Sequence, residues 1–341
     1  MSKRNHEVTT KQLLLNKDGN VAEPGWSRSQ LQQYRRKDIP VSALRIKEWD
    51  YYLVLNKDFA VAFTVNDMGY LGMLSASFLD FTQPWEHTET ILTPFPLGSF
   101  KMPENSSEGD VVYEDKRISI RFTLGPGSRR IQCDFKKFNG DKDLRCDIHL
   151  EQPEMDSMVI ATPWDQKHCF YYNQKINCMR ASGTVHYDGK TYEFDPKTDF
   201  GTLDWGRGVW TRDNTWYWGS GNCDLDGKPF GFNIGYGFGN TSAATENVIF
   251  YDGKAHKFDD VVFHIPEDDI LKPWTFTSSD GRFEMDFQPV MDRASLTDVK
   301  IIISDQHQVF GRMTGTVILD DGTKLEIRDL MCFAEKVRNK Y

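Results

Sequence analysis

Five Asp-Gly dipeptides, at 188–189, 226–227, 252–253, 280–281 and 321–322, punctuate the second half of the chain. Asp-Gly tolerates the positive φ that a type I′ turn requires at both central positions, so each one marks a hairpin between β-rich flanks. The flanks agree with this reading. Thr184-Val185-His186-Tyr187 faces Thr191-Tyr192-Glu193-Phe194, and Phe276-Thr277 faces Phe283-Glu284-Met285-Asp286-Phe287. Met313–Leu319 and Lys324–Arg328 alternate apolar with polar residues, the period of a strand with one buried face. Residues from about 210 to about 335 therefore predict eight or nine short-turned strands, the pattern of a barrel or sandwich.

The first half reads the same way. Residues 45–150 suggest strands, with a polar loop at Glu104–Asp110 and turns at Gly125-Pro126-Gly127 and Asn139-Gly140. The apolar stretch Phe59–Leu79 is interrupted by Asn66-Asp67, Gly69 and Gly72, which predicts two strands and a turn rather than a membrane span. Only Ser27–Arg36 offers a helix, with Ser27 as its cap. A chain of 341 residues is comfortable for two domains, and these signals predict two antiparallel β domains meeting near 190–210.

Composition narrows the function. Lys plus Arg is 41 and Asp plus Glu is 50, a net charge of -9, which argues against a nucleic-acid partner. Aromatic residues at 13% exclude a disordered chain, and the pattern predicts no integral membrane association. The six cysteines (Cys133, Cys146, Cys169, Cys178, Cys223, Cys332) form no C-x-x-C pair, and no histidine lies at a zinc-finger offset, so no metal site is expected. The first residues carry no apolar leader, which predicts reduced thiols and a cytoplasmic location. Neither G-x-G-x-x-G after a strand, a P-loop lysine, H-E-x-x-H nor a G-x-S-x-G elbow is present, so no cofactor is expected.

Four of the nine tryptophans crowd into Asp204-Trp205-Gly206-Arg207-Gly208-Val209-Trp210 and Asn214-Thr215-Trp216-Tyr217-Trp218. On a strand, Trp216 and Trp218 share one face. Asp204 and Arg207 beside so much indole are the sharpest chemical feature. Walled by indole, the Asp204 carboxyl is a candidate general acid, with Arg207 opposing that shift. The alternative is a buried Asp204–Arg207 ion pair fixing the strand end. In Tyr171-Tyr172-Asn173-Gln174-Lys175, the side chains of Tyr172, Asn173 and Lys175 are candidates for polar contacts to a ligand. The alternative there is an amphipathic strand whose lysine reaches outward. His168 and His186 read as packing residues.

These residues resemble the bacterial family called domain of unknown function 2804. The likeness rests on Pro24-Gly25-Trp26-Ser27-Arg28, Lys47-Glu48-Trp49-Asp50-Tyr51-Tyr52, Tyr172 to Asn177, Asp204 to Gly208, Phe310-Gly311 and Phe333-Ala334-Glu335. More distantly, the chain is similar to the lipocalin-like superfamily of AttH-type proteins, carotenoid 1,2-hydratase, a yeast survival factor and fungal Diels–Alderases. Tyr171-Tyr172, Gly183 to Gly189, Asp204-Trp205, Trp216-Tyr217-Trp218 and Asp226-Gly227 carry that likeness. Where the superfamily places an acidic or histidine pair, this chain has Trp205-Gly206-Arg207, a departure that sets its chemistry apart.

The resemblance implies two lipocalin-like antiparallel β-barrel or sandwich domains packed together with little helix. Their expected bounds are 1–196, with a short N-terminal helix, and 197–341, within about twenty residues. It also implies an apolar pocket in one barrel or at the interface. Three readings of function stay open. The first is a cofactor-independent hydration, isomerisation or cyclisation enzyme acting on a small apolar molecule. Its catalytic residues would be Asp204 and Arg207, and its ligand contacts Tyr172, Asn173, Lys175, Trp205, Trp210, Trp216 and Trp218. The second is a non-catalytic carrier of lipid or other hydrophobic molecules. The third is a carbohydrate-binding or sugar-active protein, since tryptophan platforms also suit sugar rings.

Overall fold

The computed structural model describes residues 4–298 and 303–340. All five Asp-Gly dipeptides lie at hairpin turns. Three are the expected two-residue turns: Asp188, Asp226 and Asp252 take φ of 50°, 53° and 49°, and the glycine after each is also positive. At 280–281 and 321–322 only the glycine is positive, because the loops there are longer.

Among the described residues, the strands form two large antiparallel sheets. The first, of thirteen strands, runs in order Trp85–Pro94, Leu71–Asp80, Phe59–Asp67, Lys47–Leu55, Phe200–Val209, Phe170–Tyr187, Lys142–Glu151, Ser128–Asn139, Ile118–Gly125 and Val111–Glu114. Met158–Pro163 and Lys190–Phe194 also pair with the eighteen-residue strand Phe170–Tyr187, and Gly25–Ser27 pairs with Met158–Pro163. The second sheet, of nine strands, runs Lys254–Lys257, Val248–Tyr251, Lys228–Tyr236, Asp213–Leu225, Lys324–Lys340, Ile303–Ile318, Phe283–Asp298, Trp274–Ser278 and Val261–His264. The change of sheet falls at 210–212, and among the described residues no ladder joins the two. Each sheet curls into a lipocalin-like half-barrel. Among the described residues, no helix is long and apolar enough to cross a membrane.

Each half-barrel closes over its own core. Phe63, Phe78, Phe135, Ile148 and Trp205 fill the first, and Phe230, Phe232, Trp274, Phe276 and Phe283 fill the second. The sheets then meet through their outer faces. Tyr51, Leu53 and Phe81 of the first pack with Trp218, Met291, Phe310 and Phe333 of the second. Beside them, Trp26, Ile160, Tyr171 and Trp210 pack with Phe238, Val248 and Phe250. Each large side chain buried there contributes about 1.5–3 kcal/mol, which holds the halves together without shared backbone bonds.

The expected helix over Ser27–Arg36 is absent. Ser27 ends a buried strand that lies against Val159, Gln32–Gln33 pairs in parallel with Gln12–Leu13, and a single 3₁₀ turn covers Arg36–Asp38. The Ser27 hydroxyl donates to the Ser29 carbonyl instead of capping a helix. Alternate burial of Gln32 and Tyr34 around the exposed Gln33 is a two-residue period, and pairing with the sheet overrides the weak local cap signal.

Candidate active site

Strands Phe170–Tyr187 and Phe200–Val209 run antiparallel, with Lys175 opposite Asp204, Gln174 opposite Trp205, Asn173 opposite Gly206 and Tyr172 opposite Arg207. Side chains alternate between faces along a strand. The ladder therefore divides the candidate residues into two sets that do not meet. Tyr172, Trp205 and Arg207 point into the core of the first half-barrel, whereas Asn173, Lys175 and Asp204 point toward the second sheet.

The alternative of an Asp204–Arg207 ion pair is thereby overturned. Three residues apart on one strand, the two occupy opposite faces. Arg207 is fully buried and donates to Asp50 Oδ1 at 2.9 Å and to the carbonyls of Trp49, Gly206 and Pro103. Its guanidinium lies 4.2 Å from the Trp205 ring centre. Burial pushes the carboxyls of Asp50 and Glu48 up, and the charge of Arg207 pulls both back down. Tyr172 donates to the Gln32 carbonyl at 2.6 Å, so its hydroxyl serves the core.

On the outward face, Asp204 Oδ1 accepts from Lys175 Nζ at 2.8 Å and from Asn173 Nδ2 at 2.5 Å. Its Oδ2 accepts from the indole of Trp49 at 3.3 Å. Lys175 Nζ sits 3.8 Å from the Trp218 ring centre, so the protein's own ammonium takes an indole face expected to meet a ligand. Trp218 in turn donates to Asn233 Oδ1 at 2.6 Å and stands edge-on to Phe333.

The second sheet supplies a matching arrangement. Trp216 and Trp218 share a face, and Glu335 lies directly across the ladder from Trp218. Trp216 donates to Glu335 Oε1 at 3.1 Å and Gln308 Nε2 donates to Oε2 at 3.0 Å. Burial pushes the Glu335 carboxyl up to about 7, with the Trp216 hydrogen bond and Lys175 pulling down and Asp204 pushing up. A third carboxylate, Glu246, comes from the segment between Tyr236 and Val248. Burial pushes it to about 6 against the pull of Lys175, and among the described residues no protein donor reaches its carboxylate. Each sheet thus contributes a tryptophan that holds a carboxylate by its N–H, and Lys175 couples electrostatically to all three acids.

A continuous wall of rings flanks the acids. Trp49 stacks on Tyr171 at 5.6 Å and meets Trp210 edge-on at 5.0 Å. Phe238 touches Tyr171, Trp210 and Trp216 with centroids 4.8–5.5 Å apart. Only glycine fits at 206, because a Cβ there would lie 2.0 Å from Trp49. Asp204, Glu246 and Glu335 are buried with 7%, 5% and 8% exposure left, and Asn173 has none. Trp205, Trp210 and Trp218 are buried within or between the sheets and Trp216 is half-buried, which counts against an exposed indole platform for sugar rings.

Trp49, Phe238, Glu246 and Glu335 did not figure among the candidate residues. Trp49 and Glu335 lie inside motifs that carry the family likeness, Lys47 to Tyr52 and Phe333-Ala334-Glu335, and that was their signal. Glu246 stands in a connecting segment with no motif around it. Among the described residues, no group of three or more His, Cys, Asp or Glu is placed to hold a metal ion.

Comparison with known proteins gives a consistent picture. Kievitone hydratase from Nectria haematococca superposes with a TM-score of 0.54 at 9% identity, covering 97% of this chain and 98% of that one. CghA, solved with Sch210972, superposes equally well at 0.54 and 9% identity, covering 96% and 97%. An AttH-type protein from Nitrosomonas europaea gives 0.49 at 11% identity, covering 86% and 92%. At 9% identity, the first two superpositions show a shared fold and nothing further. No curated protein sequence matches the chain. The family model of DUF2804, a domain of unknown function, matches residues 5–341, and this chain belongs to that family.

Proposed function

We propose that the space between the sheets is an active site for cofactor-independent acid–base chemistry on a small, largely apolar molecule. Hydration, isomerisation and cyclisation are the reaction classes it suits. The observation that carries this reading is the buried Lys175–Asp204 pair facing Glu335, an acid that burial brings to about 7. A proton donor works best when its pKa lies near the working pH. Two acids whose environments differ divide the roles of donor and acceptor.

In this scheme Glu335 protonates the substrate at carbon or oxygen. Asp204, held by Lys175, Asn173 and Trp49, takes a proton from water or from a neighbouring carbon. Glu246, whose carboxylate meets no protein donor among the described residues, is the second proton station. The rings of Trp49, Tyr171, Trp210, Trp216 and Phe238 hold the apolar body, and positive charge developing beside an indole face gains about 0.5–2 kcal/mol. That kievitone hydratase shares the fold supports the reading at the level of architecture only.

The test is turnover of a panel of conjugated alkenes and enones by the wild type, Asp204→Asn and Glu335→Gln. Loss of at least about a hundredfold in both variants, with folding retained, is the expected result for removal of a general acid or base. Equal turnover in all three sinks the scheme. A second reading, that of a carrier, is favoured by the continuous ring wall. A hydrophobic ligand seen bound by native mass spectrometry, with no turnover of the panel, would select it.

A further inference from the structure

Residues 237–247, which join the strands Lys228–Tyr236 and Val248–Tyr251, carry two parts of the site: Phe238, the hub of the ring wall, and Glu246. Gly237 and Gly239 flank Phe238 at φ of 94° and 84°. A Cβ at Gly237 would lie 2.4 Å from the Thr215 carbonyl oxygen, and one at Gly239 would lie 2.6 Å from the Thr162 side chain. The segment crosses to the first sheet, where the Asn240 amide donates to the Pro163 carbonyl at 2.8 Å.

Its far end is gripped by the head of the chain. Arg4 Nε donates to the Thr241 carbonyl at 3.3 Å, and the His6 amide donates to the Ala243 carbonyl at 2.9 Å. Asn5 does most. Its Oδ1 accepts from both the amide and the hydroxyl of Thr245, the neighbour of Glu246, at 2.9 and 3.1 Å. Its Nδ2 donates to the Phe258 carbonyl at 3.3 Å, and the residue adopts a φ of 66° to do so. This head is itself pinned to the first sheet. The Trp26 amide and indole donate to His6 and Asn5 carbonyls at 3.0 and 3.2 Å, and Trp26 pairs with Ile160. A piece of the first half of the molecule thus reaches across to hold a segment of the second.

We infer that residues 4–6 latch the segment 237–247 as the gate of the site, hinged at Gly237 and Gly239, and that Asn5 is a positioning residue for Glu246. The second part rests on the reading of Glu246 as a member of the reactive cluster. Other bonds also hold this end, among them Asn233 Nδ2 to the Glu246 carbonyl at 2.9 Å, Lys257 Nζ to the Thr245 carbonyl at 2.6 Å, the Thr245 hydroxyl to the Phe258 carbonyl at 2.9 Å and Asn247 Nδ2 to the Asp259 carbonyl at 2.7 Å. Unlatching therefore loosens the segment without releasing it.

The experiment uses the full chain with no substrate, so its outcome is separate from that of the turnover panel. Hydrogen exchange is read by mass spectrometry, and the Glu246 carboxyl is titrated by carbon-13 NMR with Glu246→Gln for assignment. Asn5→Ala should speed exchange in 237–247 at least about tenfold, since both bonds from Thr245 and the bond to the Phe258 carbonyl are lost. Peptides from the second core, around Phe283 and Met313, should not change. The Glu246 midpoint should drop from about 6 toward the ordinary glutamate range as water enters. Asn5→Asp keeps the acceptor for Thr245 but turns a carboxylate oxygen toward the Phe258 carbonyl and the Asp259 carboxylate, so protection should return only in part. If Asn5→Ala speeds exchange everywhere, Arg4→Ala decides by the exchange readout, since this partly exposed side chain, also paired with Asp260, lies outside every core. Unchanged exchange in 237–247 in Asn5→Ala and Arg4→Ala, with an unchanged Glu246 midpoint in Asn5→Ala, would overturn the inference.

Discussion

Glu335→Gln isolates the energetic consequence of burying an acid between the sheets. In the fold the Glu335 carboxyl titrates at about 7, against 4.5 for the free side chain. Between those values the unfolded chain has released its proton while the folded chain retains it. The folded state binds more protons there, so stability falls as pH rises. Below pH 4.5 both states are protonated and the group costs nothing; above about pH 7 the loss is complete. The span is 7 − 4.5 = 2.5 units, and at 1.36 kcal/mol per unit the loss is about 3 kcal/mol.

Glutamine cannot titrate. The unfolding free energy of the variant minus that of the wild type should therefore grow by about 3 kcal/mol from about pH 4.5 to about pH 8. Any mismatch between the new amide and Gln308 adds an offset that does not depend on pH. Urea unfolding followed by tryptophan emission at four or five pH values measures the difference directly. A difference flat to within about 0.5 kcal/mol, or one that shrinks as pH rises, would refute the reasoning.

Lys175→Met leaves Asp204 buried without its cation and should cost about 3–5 kcal/mol by urea unfolding. Because Lys175 pulls down both Glu246 and Glu335, their carbon-13 midpoints should move above about 6 and about 7 in that variant. Gly206→Ala forces a methyl into Trp49 and should cost about 1–3 kcal/mol, with a shift in tryptophan emission. Arg207→Met strands Asp50 in the first core, while Glu48 keeps its pair with Arg36, and should cost about 3–5 kcal/mol. The Glu335 midpoint, read on the other face of the sheet, should not move in that variant.

Much of the architecture was legible because its signals are local. Asp-Gly turns and two-residue alternation act over a handful of residues, and all five turns and the nine strands of the second sheet follow from them. The helix expected over Ser27–Arg36 failed for the complementary reason. Its single cap signal competed with pairing partners more than a hundred residues away at Val159 and Ile160. Within the candidate site, Asp204, Lys175, Asn173 and Trp216 were identified by type and come together, while Arg207, Tyr172 and Trp205 were grouped with them and do not. Their odd offsets along two paired strands already carried that separation, once both strands were recognised.

Local chemistry along the chain thus specified the class of fold, the turns and the aromatic identity of the site. Which acids meet was settled by packing. Asp204 is brought to Trp49 from 155 residues away and Glu335 to Trp216 from 119. A carboxylate's acidity depends on the water it loses and the charges that replace it, and those belong to neighbours on another sheet. No short window of sequence contains them.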